Sequence, residues 1–543
     1  MGEGYSGQLE LTWTNKALRL LAHEDGSYEW VKPSDWRVSE VRLLESRETV
    51  GEAQPDERRA RDNLLIQGDA LNALTALQRL PEFAREYAGK VRLVYIDPPF
   101  NTGQVFEQYD DGIEHSVWLT MLRDRLKQIK ELLGEDGSVW VHLDDAEAHR
   151  GRCALDEVFG EENFVATVIW EKADSPRNSA RQFSTDHDYL LVYSKDPSWR
   201  PNRLPRDERS NAIYSNPDDD PRGPWIPGDP YANKPYSKGQ YTVVGPTGRE
   251  FSPPAGRFWR VSREKLDELN ADGRVWWGPS GDARPSIKRY LNEVADLVPR
   301  TLWAKEEVGS NRTSKNEMRR LFPNLPSFAT PKPELLIARV LQIGSGPGDI
   351  VVDCFLGSGT TAAVAQKMGR RWVGIERSDK TIQDYALPRL SKVIAGDDPG
   401  GVTEETGWNG GGGFRVLSVA PSMFEEDEGV IVLAEWATNG ALAEVTAAQL
   451  GFEYEADAPF SGQKGRTRLA VIDGLVSEGV VRALCSAVGD RERIVVCGTA
   501  VDPSARPVLK ELRPGSTLRK IPASILEEYQ AQSGAFKGWT EKR

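Results

Sequence analysis

Cysteine and histidine are scarce: four cysteines and five histidines in 543 residues. Cys153, Cys354, Cys485 and Cys497 lie far apart, with no C-x-x-C pair and no nearby histidine. That spacing excludes a disulfide framework and a zinc site, and it suits a reducing compartment. Long apolar runs are also missing. A stretch such as Gly429-Val-Ile-Val-Leu-Ala434 is far short of the roughly 20 residues that span a bilayer, so a soluble, cytoplasmic protein is expected. No G-x-x-x-x-G-K-[ST] stretch occurs, so the chain should carry no ATP-driven motor of its own. Positive charge is outweighed, with 69 Lys and Arg against 82 Asp and Glu and a net charge of −13. Taken whole, that balance argues against a nucleic-acid binder.

What is present is an α/β rhythm. Asn63-Leu-Leu-Ile-Gln67 predicts a strand, and 70–80 carries Leu71, Leu74, Leu77 and Leu80 at helical spacing. Val91-Arg-Leu-Val-Tyr-Ile96 predicts the next strand, 117–133 a long amphipathic helix, 138–143 another strand, and 164–170 and 188–193 two more β-rich runs. The rhythm breaks off near Lys195 and resumes near Pro333 with a helix to about Ile343, a strand over 350–354, a helix from Gly359 and a strand over 371–375. This predicts a mostly parallel, doubly wound sheet whose ligands sit at the carboxyl ends of its strands. The interruption is rich in Pro, Gly, Trp and Arg. Over 201–330 it holds 21 Lys/Arg against 17 Asp/Glu, a local excess of four. A Gly-rich run over 397–413 predicts a linker. Beyond it, 468–473, 478–488 and 493–497 read as a further βαβ unit in a tail with 15 Lys/Arg against 20 Asp/Glu over 401–543.

Two strand ends carry chemistry. Asp97-Pro98-Pro99-Phe100 makes a rigid loop with few N–H groups, presenting carbonyl and carboxylate acceptors beside a ring. It suits a flat base with an exocyclic amine, whose two hydrogens Asp97 and the Pro98 carbonyl can accept while Phe100 stacks. The plainer reading is a turn closed by a core Phe. Asp353-Cys-Phe355-Leu-Gly357-Ser-Gly359-Thr360-Thr361 ends one strand and opens a helix. Its glycines allow close backbone approach and the helix start offers N–H groups, unless it is simply a turn. Thr360 stands where a phosphate loop needs Lys. The next strand ends in Glu376, suited to ribose hydroxyls.

Together these residues resemble the amino-group DNA methyltransferases that use S-adenosylmethionine. Asp97–Phe100 is similar to the family's catalytic motif, with Phe100 where Tyr is commoner. The segment 353–361 is similar to its cofactor motif, and Thr330-Pro-Lys332-Pro333-Glu334 to the stretch beside the methionine end of the cofactor. The catalytic motif comes first, as in the circularly permuted β-type order. Asn101-Thr-Gly, the Gly-rich run and the tail most resemble modification subunits of type III restriction systems.

The resemblance implies transfer to adenine N6 of a base flipped from duplex DNA; Asp97, where cytosine-N4 enzymes more often have Ser, favours adenine. Alternatives are N4-methylation of cytosine and a DNA-recognition scaffold for a nuclease or helicase partner. C5-methylation is disfavoured because no cysteine follows a proline. Cofactor contacts are implied for Asp69 (otherwise a helix cap), Lys332 (otherwise a surface lysine), Asp353, Phe355, Gly357, Gly359, Thr360, Thr361 and Glu376. Partners implied are double-stranded DNA, a second copy in a homodimer and a separate ATP-dependent restriction subunit. The expected division is an N-terminal extension (1–62), a catalytic half (63–195), a target-recognition insert (196–329), a cofactor half (330–396), a linker (397–413) and a small α/β C-terminal domain (414–543). Within the insert, Arg257, Arg260, Arg274, Arg284, Lys288 and Arg289 are candidate DNA contacts, with Asn101 beside the catalytic motif. The tryptophans 259, 276 and 277 suit a core more than a reading surface, and His142 and His187 suit packed positions more than catalytic ones.

Overall fold

The computed structural model describes residues 10–23, 27–100, 114–176, 180–326 and 328–535. The chain divides into two compact units, one from 1–200 with 300–543 and the other Pro201–Pro299.

The first unit is built on a sheet that has ten strands among the described residues. In chain order these are β1 (Leu44–Gly51), β2 (Asn63–Gln67), β3 (Val91–Ile96), β4 (Leu133–Leu143), β5 (Phe164–Glu171), β6 (His187–Ser194), β7 (Leu302–Trp303), β8 (Ile350–Asp353), β9 (Arg371–Glu376) and β10 (Gly413–Val419). Their order in space is β7-β5-β6-β4-β3-β8-β9-β2-β10-β1. Only β6 and β1 run against the rest. Counted from β8, the central strands read third, second, first, fourth, fifth, which is the doubly wound order entered in mid-sequence. The switch point falls between β8 and β3. Strands covered on both faces read as continuous apolar runs, and all four residues of β8 and all but Arg92 of β3 are buried.

The covering helices used below are α1 (Ala70–Arg79), α2 (His115–Leu132), α3 (Asn311–Leu321), α4 (Glu334–Gly344), α5 (Thr360–Lys367) and α6 (Leu387–Ala395). On α2 the buried Trp118, Leu122, Leu126 and Ile129 recur at helical spacing and join the main core.

Three features depart from the expected layout. β7 and α3 fold with the first unit, so the separate unit is shorter than 196–329. β10 joins the main sheet, paired parallel to β2 and antiparallel to β1. The Gly-rich run is docked: Asp398 is buried against Lys367, and the Trp408 indole donates to the Val393 carbonyl at 2.7 Å. Glycine content alone reads as flexibility and cannot reveal such anchors. Downstream, a second sheet runs Glu453–Asp457, Phe460–Lys464, Thr467–Val476, Arg493–Val501, Thr517–Lys520, and its last three strands are parallel.

The second unit has a three-stranded sheet around Ser286–Tyr290 and an aromatic core containing Trp259 and Trp277. These two tryptophans are buried, and Trp276 is partly so.

Candidate active site

Four adjacent parallel strands, β3, β8, β9 and β2, end in a carboxylate or are followed by one within two residues. Asp97, Asp353, Glu376 and Asp69 thus form a row along the carboxyl edge of the sheet, centred on its switch point.

Asp97 follows β3 directly. One oxygen, Oδ2, is ion-paired with the buried Lys332 ammonium. The other, Oδ1, is buried and has no hydrogen-bond partner among the described residues. An unsatisfied buried acceptor is costly, and such groups cluster where a ligand completes the bonding. The loop is pinned by Trp118, whose indole N–H donates to the Pro99 carbonyl at 2.6 Å. Pro98 is buried.

Phe100 lies over His142, with ring centroids 5.7 Å apart and planes 27° apart. His142 is fully buried, and its ring nitrogens face the Tyr95 hydroxyl at 2.8 Å (Nδ1) and Asp188 at 3.3 Å (Nε2). Burial, helped by the Lys332 charge, lowers its pKa, which favours the neutral ring, and since the Asp188 carboxylate only accepts, Nε2 is the nitrogen suited to donate to it. Asp188 also receives Lys172 at 2.6 Å. His142 is therefore the packed, hydrogen-bonded residue expected from its strand position. Its role as the floor under Phe100 was invisible, because Tyr95, His142 and Asp188 come from three strands.

The second loop wraps Asp353. Its oxygens accept from the Phe355 N–H at 3.0 Å and the Thr361 hydroxyl at 2.6 Å. Burial pushes its carboxyl up to about 7 against those two bonds, and the nearby Asp97 and Glu376 add to the rise. Gly357 and Gly359 have φ of +54° and +82°, the left-handed region where a side chain is strained. Gly359 caps α5. Glu376 accepts from the N–H groups of Gly357 and Ser378, both at 2.9 Å. Burial raises its pKa despite those bonds.

Other residues do structural work. Asp69 caps α1 through the Leu71 N–H at 2.7 Å and holds Arg125 at 2.9 and 3.1 Å. Burial works to raise its carboxyl, yet Arg125 and the Leu71 N–H keep it below the ordinary range. This is the helix-cap reading, strengthened by an arginine 56 residues away. Lys332 is buried on Asp97 rather than exposed. Thr360 receives Arg389 at 2.8 Å; Arg389 in turn grips Glu334, which also binds Lys367. The sequence gives no hint of this buried Glu334–Lys367–Arg389–Asp398 network except the Glu334 of the 330–334 stretch. Phe355 is partly buried against the main core.

In the second unit, Lys288 is buried between Asp218 and Asp220, and Tyr290 donates to Asp220 at 2.6 Å. Lys288 is thus corrected from a DNA contact to an internal brace. Arg274 is held by Glu293 and Asp272, Arg257 by Asp229, and Arg260 donates to the Tyr231 carbonyl. Arg284 and Arg289 are exposed, without an ion-pair partner among the described residues. Asn101 lies outside the described residues. The local charge reading also changes: Pro201–Pro299 holds 15 Lys/Arg against 14 Asp/Glu, so most of the excess over 201–330 belongs to α3. That helix exposes Arg312, Lys315, Arg319 and Arg320, while its one acid, Glu317, is buried on the opposite face.

Comparison with known proteins agrees with this arrangement. The profile of the N6/N4 DNA methylase family matches residues 91–387. The type II methyltransferase M.EcaI of Enterobacter cloacae is 29% identical over 307 residues, covering 53% of this chain and 62% of its own length. The probable type III restriction-modification enzyme HindVI Mod subunit of Haemophilus influenzae is 29% identical over 433 residues, 66% of this chain and 54% of its own. The type III enzyme StyLTI Mod subunit of Salmonella typhimurium is 29% identical over 384 residues, 61% of this chain and 57% of its own. The chain therefore spans between half and two thirds of the length of these relatives. With the Asp97–Phe100 loop and the glycine loop both inside the matched stretch, the chain belongs to the N6/N4 family of DNA methylases.

Proposed function

We propose that the chain transfers the methyl group of S-adenosylmethionine to N6 of an adenine in duplex DNA. It would act in the cytoplasm as the modification and recognition component of a restriction or phage-defence system. The observation that carries this reading is the buried, unpartnered Oδ1 of Asp97, beside a ring and at the switch point of the sheet. Family membership and the Mod-subunit relatives support it.

The residues fit the cofactor. Glu376 holds two backbone N–H groups, which leaves lone pairs on both oxygens for ribose hydroxyls. Gly357 and Gly359 keep side chains off the loop that opens α5, and Phe355, Thr360 and Thr361 shape the same end. Asp353 holds that loop from beneath. When bound, the cofactor supplies an electrophilic methyl group on a sulfonium.

Adenine N6 is a weak nucleophile because its lone pair is delocalised into the ring, so orientation and charge stabilisation matter more than a strong base. A base flipped from the duplex lies on Phe100. Asp97 Oδ1 and the Pro98 carbonyl accept the two amine hydrogens and turn the lone pair out of conjugation. Asp97 then stabilises the positive charge that develops on N6, which leaves as a proton to water. Neutral His142 supports Phe100 without entering the proton transfer. The exposed face of α3 supplies phosphate contacts, and Arg284 and Arg289 of the second unit supply their own. A homodimer and a separate ATP-dependent restriction subunit are the partners this reading carries.

The test is expression in a methylation-free host followed by single-molecule sequencing. N6-methyladenine in one sequence context is expected, and Asp97→Ala should erase it while the protein stays folded. N4-methylcytosine, or methylation that persists in Asp97→Ala, overturns the assignment.

A further inference from the structure

Lys332 crowds the place the proposed base needs, although Asp97 Oδ1 itself is left without a partner among the described residues. Its ammonium pairs with Asp97 Oδ2 and sits 5.1 Å from the Phe100 ring centroid, while His142 stacks on Phe100 as well. A positive amine donor beside Asp97 and close to that ring mimics a base carrying an exocyclic amine. Lys332 must therefore leave the Phe100 ring before a base can stack there. Its main chain is not free to do so: Pro331 and Pro333 flank it, and Glu334 is locked to Lys367 and Arg389. Movement is confined to the flexible four-carbon side chain. A lysine only 7% exposed cannot leave its carboxylate for nothing, because an unpaired buried charge is strongly destabilising. A second carboxylate has to receive it.

We infer that Lys332 is a positioning residue that passes from Asp97 to the amino-acid carboxylate of the cofactor, so that cofactor binding uncovers the Phe100 ring for the base. This rests on the proposed S-adenosylmethionine reading and adds an order to it: cofactor first, base second. It also gives the glycine loop and the catalytic loop a shared charged group rather than mere proximity.

The consequence for affinity is unusual. Removing the catalytic carboxylate should tighten cofactor binding, since Lys332 then has no competing partner. The probe is S-adenosylhomocysteine, which keeps the carboxylate and lacks the sulfonium charge that Asp97 would attract. By calorimetry on the full chain, Asp97→Asn should bind it about 3- to 10-fold more tightly than wild type, within the range of coupling between contacting charged residues. Lys332→Met should bind it more weakly. In the Lys332→Met background the Asp97→Asn gain should vanish, which separates release of lysine from loss of simple repulsion between carboxylates. Decarboxylated S-adenosylhomocysteine should show no gain in Asp97→Asn. Asp97→Ala serves as the second variant if the asparagine protein fails a thermal-melt check.

Wild type that binds no S-adenosylhomocysteine overturns the cofactor reading and this inference together. Binding by wild type with no gain in Asp97→Asn, or with an equal gain in the Lys332→Met background, overturns the inference alone.

Discussion

Single residues divide here into those whose chemistry shows in the sequence and those whose partners conceal it. Asp97 and Gly359 sit in tight local motifs, so their neighbours along the chain already describe their surroundings. Lys288 is the opposite case. It looks identical to its neighbour Arg289, yet its carboxylate partners lie 68 and 70 residues away and bury it, while Arg289 stays exposed. Two substitutions should separate the pair. Arg289→Ala is expected to weaken DNA binding and to lower the log–log salt slope by about 0.9, one phosphate contact, with unchanged stability. Lys288→Met leaves Asp218 and Asp220 facing each other and should destabilise the protein by about 3 kcal/mol. Electrophoretic shifts across a salt series and chemical denaturation read the two effects; a salt-slope change in Lys288→Met with normal stability would contradict the burial argument.

Elements were legible wherever their apolar pattern was continuous. β2 and β3 fall at their expected bounds because central parallel strands are apolar throughout. β1 was not legible: it is an edge strand, and its exposed Ser46-Arg-Glu-Thr49 run is polar. The charged joint between α3, α4, α5 and α6 was equally hidden, since charged residues on helices normally face water. Glu334 and Asp398 there balance Lys367 and Arg389. Glu317 is the fifth member, pushed by burial and by the charge of Glu334 from its ordinary 4.5 up to about 7. In the folded protein it therefore keeps its proton between about pH 4.5 and 7, while the unfolded chain loses it. More protons on the folded state mean that stability falls as pH rises through that window. Asp353, also near 7, adds a slope of the same sign. Glu317→Gln should flatten the decline and raise stability at pH 8 by about 2 kcal/mol. Urea titrations at pH 5, 6, 7 and 8 measure this, and an unchanged pH profile in the variant would refute it.

At the scale of the whole molecule, the net charge of −13 conceals the exposed basic face of α3, because charge is distributed by fold rather than by sequence segment. The rhythm breaks near Lys195, and the separate unit is Pro201–Pro299: β7 and α3 belong to the first unit, after a return bracketed by the Leu204–Leu297 bridge. Replacing 201–299 with a short Gly-Ser linker should therefore leave S-adenosylhomocysteine affinity within about 2-fold of wild type, since no cofactor residue is removed. Sequence-specific DNA binding should be lost. Calorimetry and competition shift assays test the two halves separately, and loss of cofactor binding on excision would show that the first unit depends on the second.

The strand order has a consequence for biosynthesis. β2 and β3 leave the ribosome early, yet the two strands that belong between them, β8 and β9, are translated more than 250 residues later. Until residue 376 emerges, the nascent sheet has a slot at its centre, with the facing edges of β2 and β3 unpaired and both strands strongly apolar. Such edges are templates for wrong pairing. The strands that carry Asp353 and Glu376 enter as a wedge between parts already made, and β10, which joins β1 to β2, follows later still, so the row of carboxylates closes only after residue 376 and the β1 flank only after residue 419.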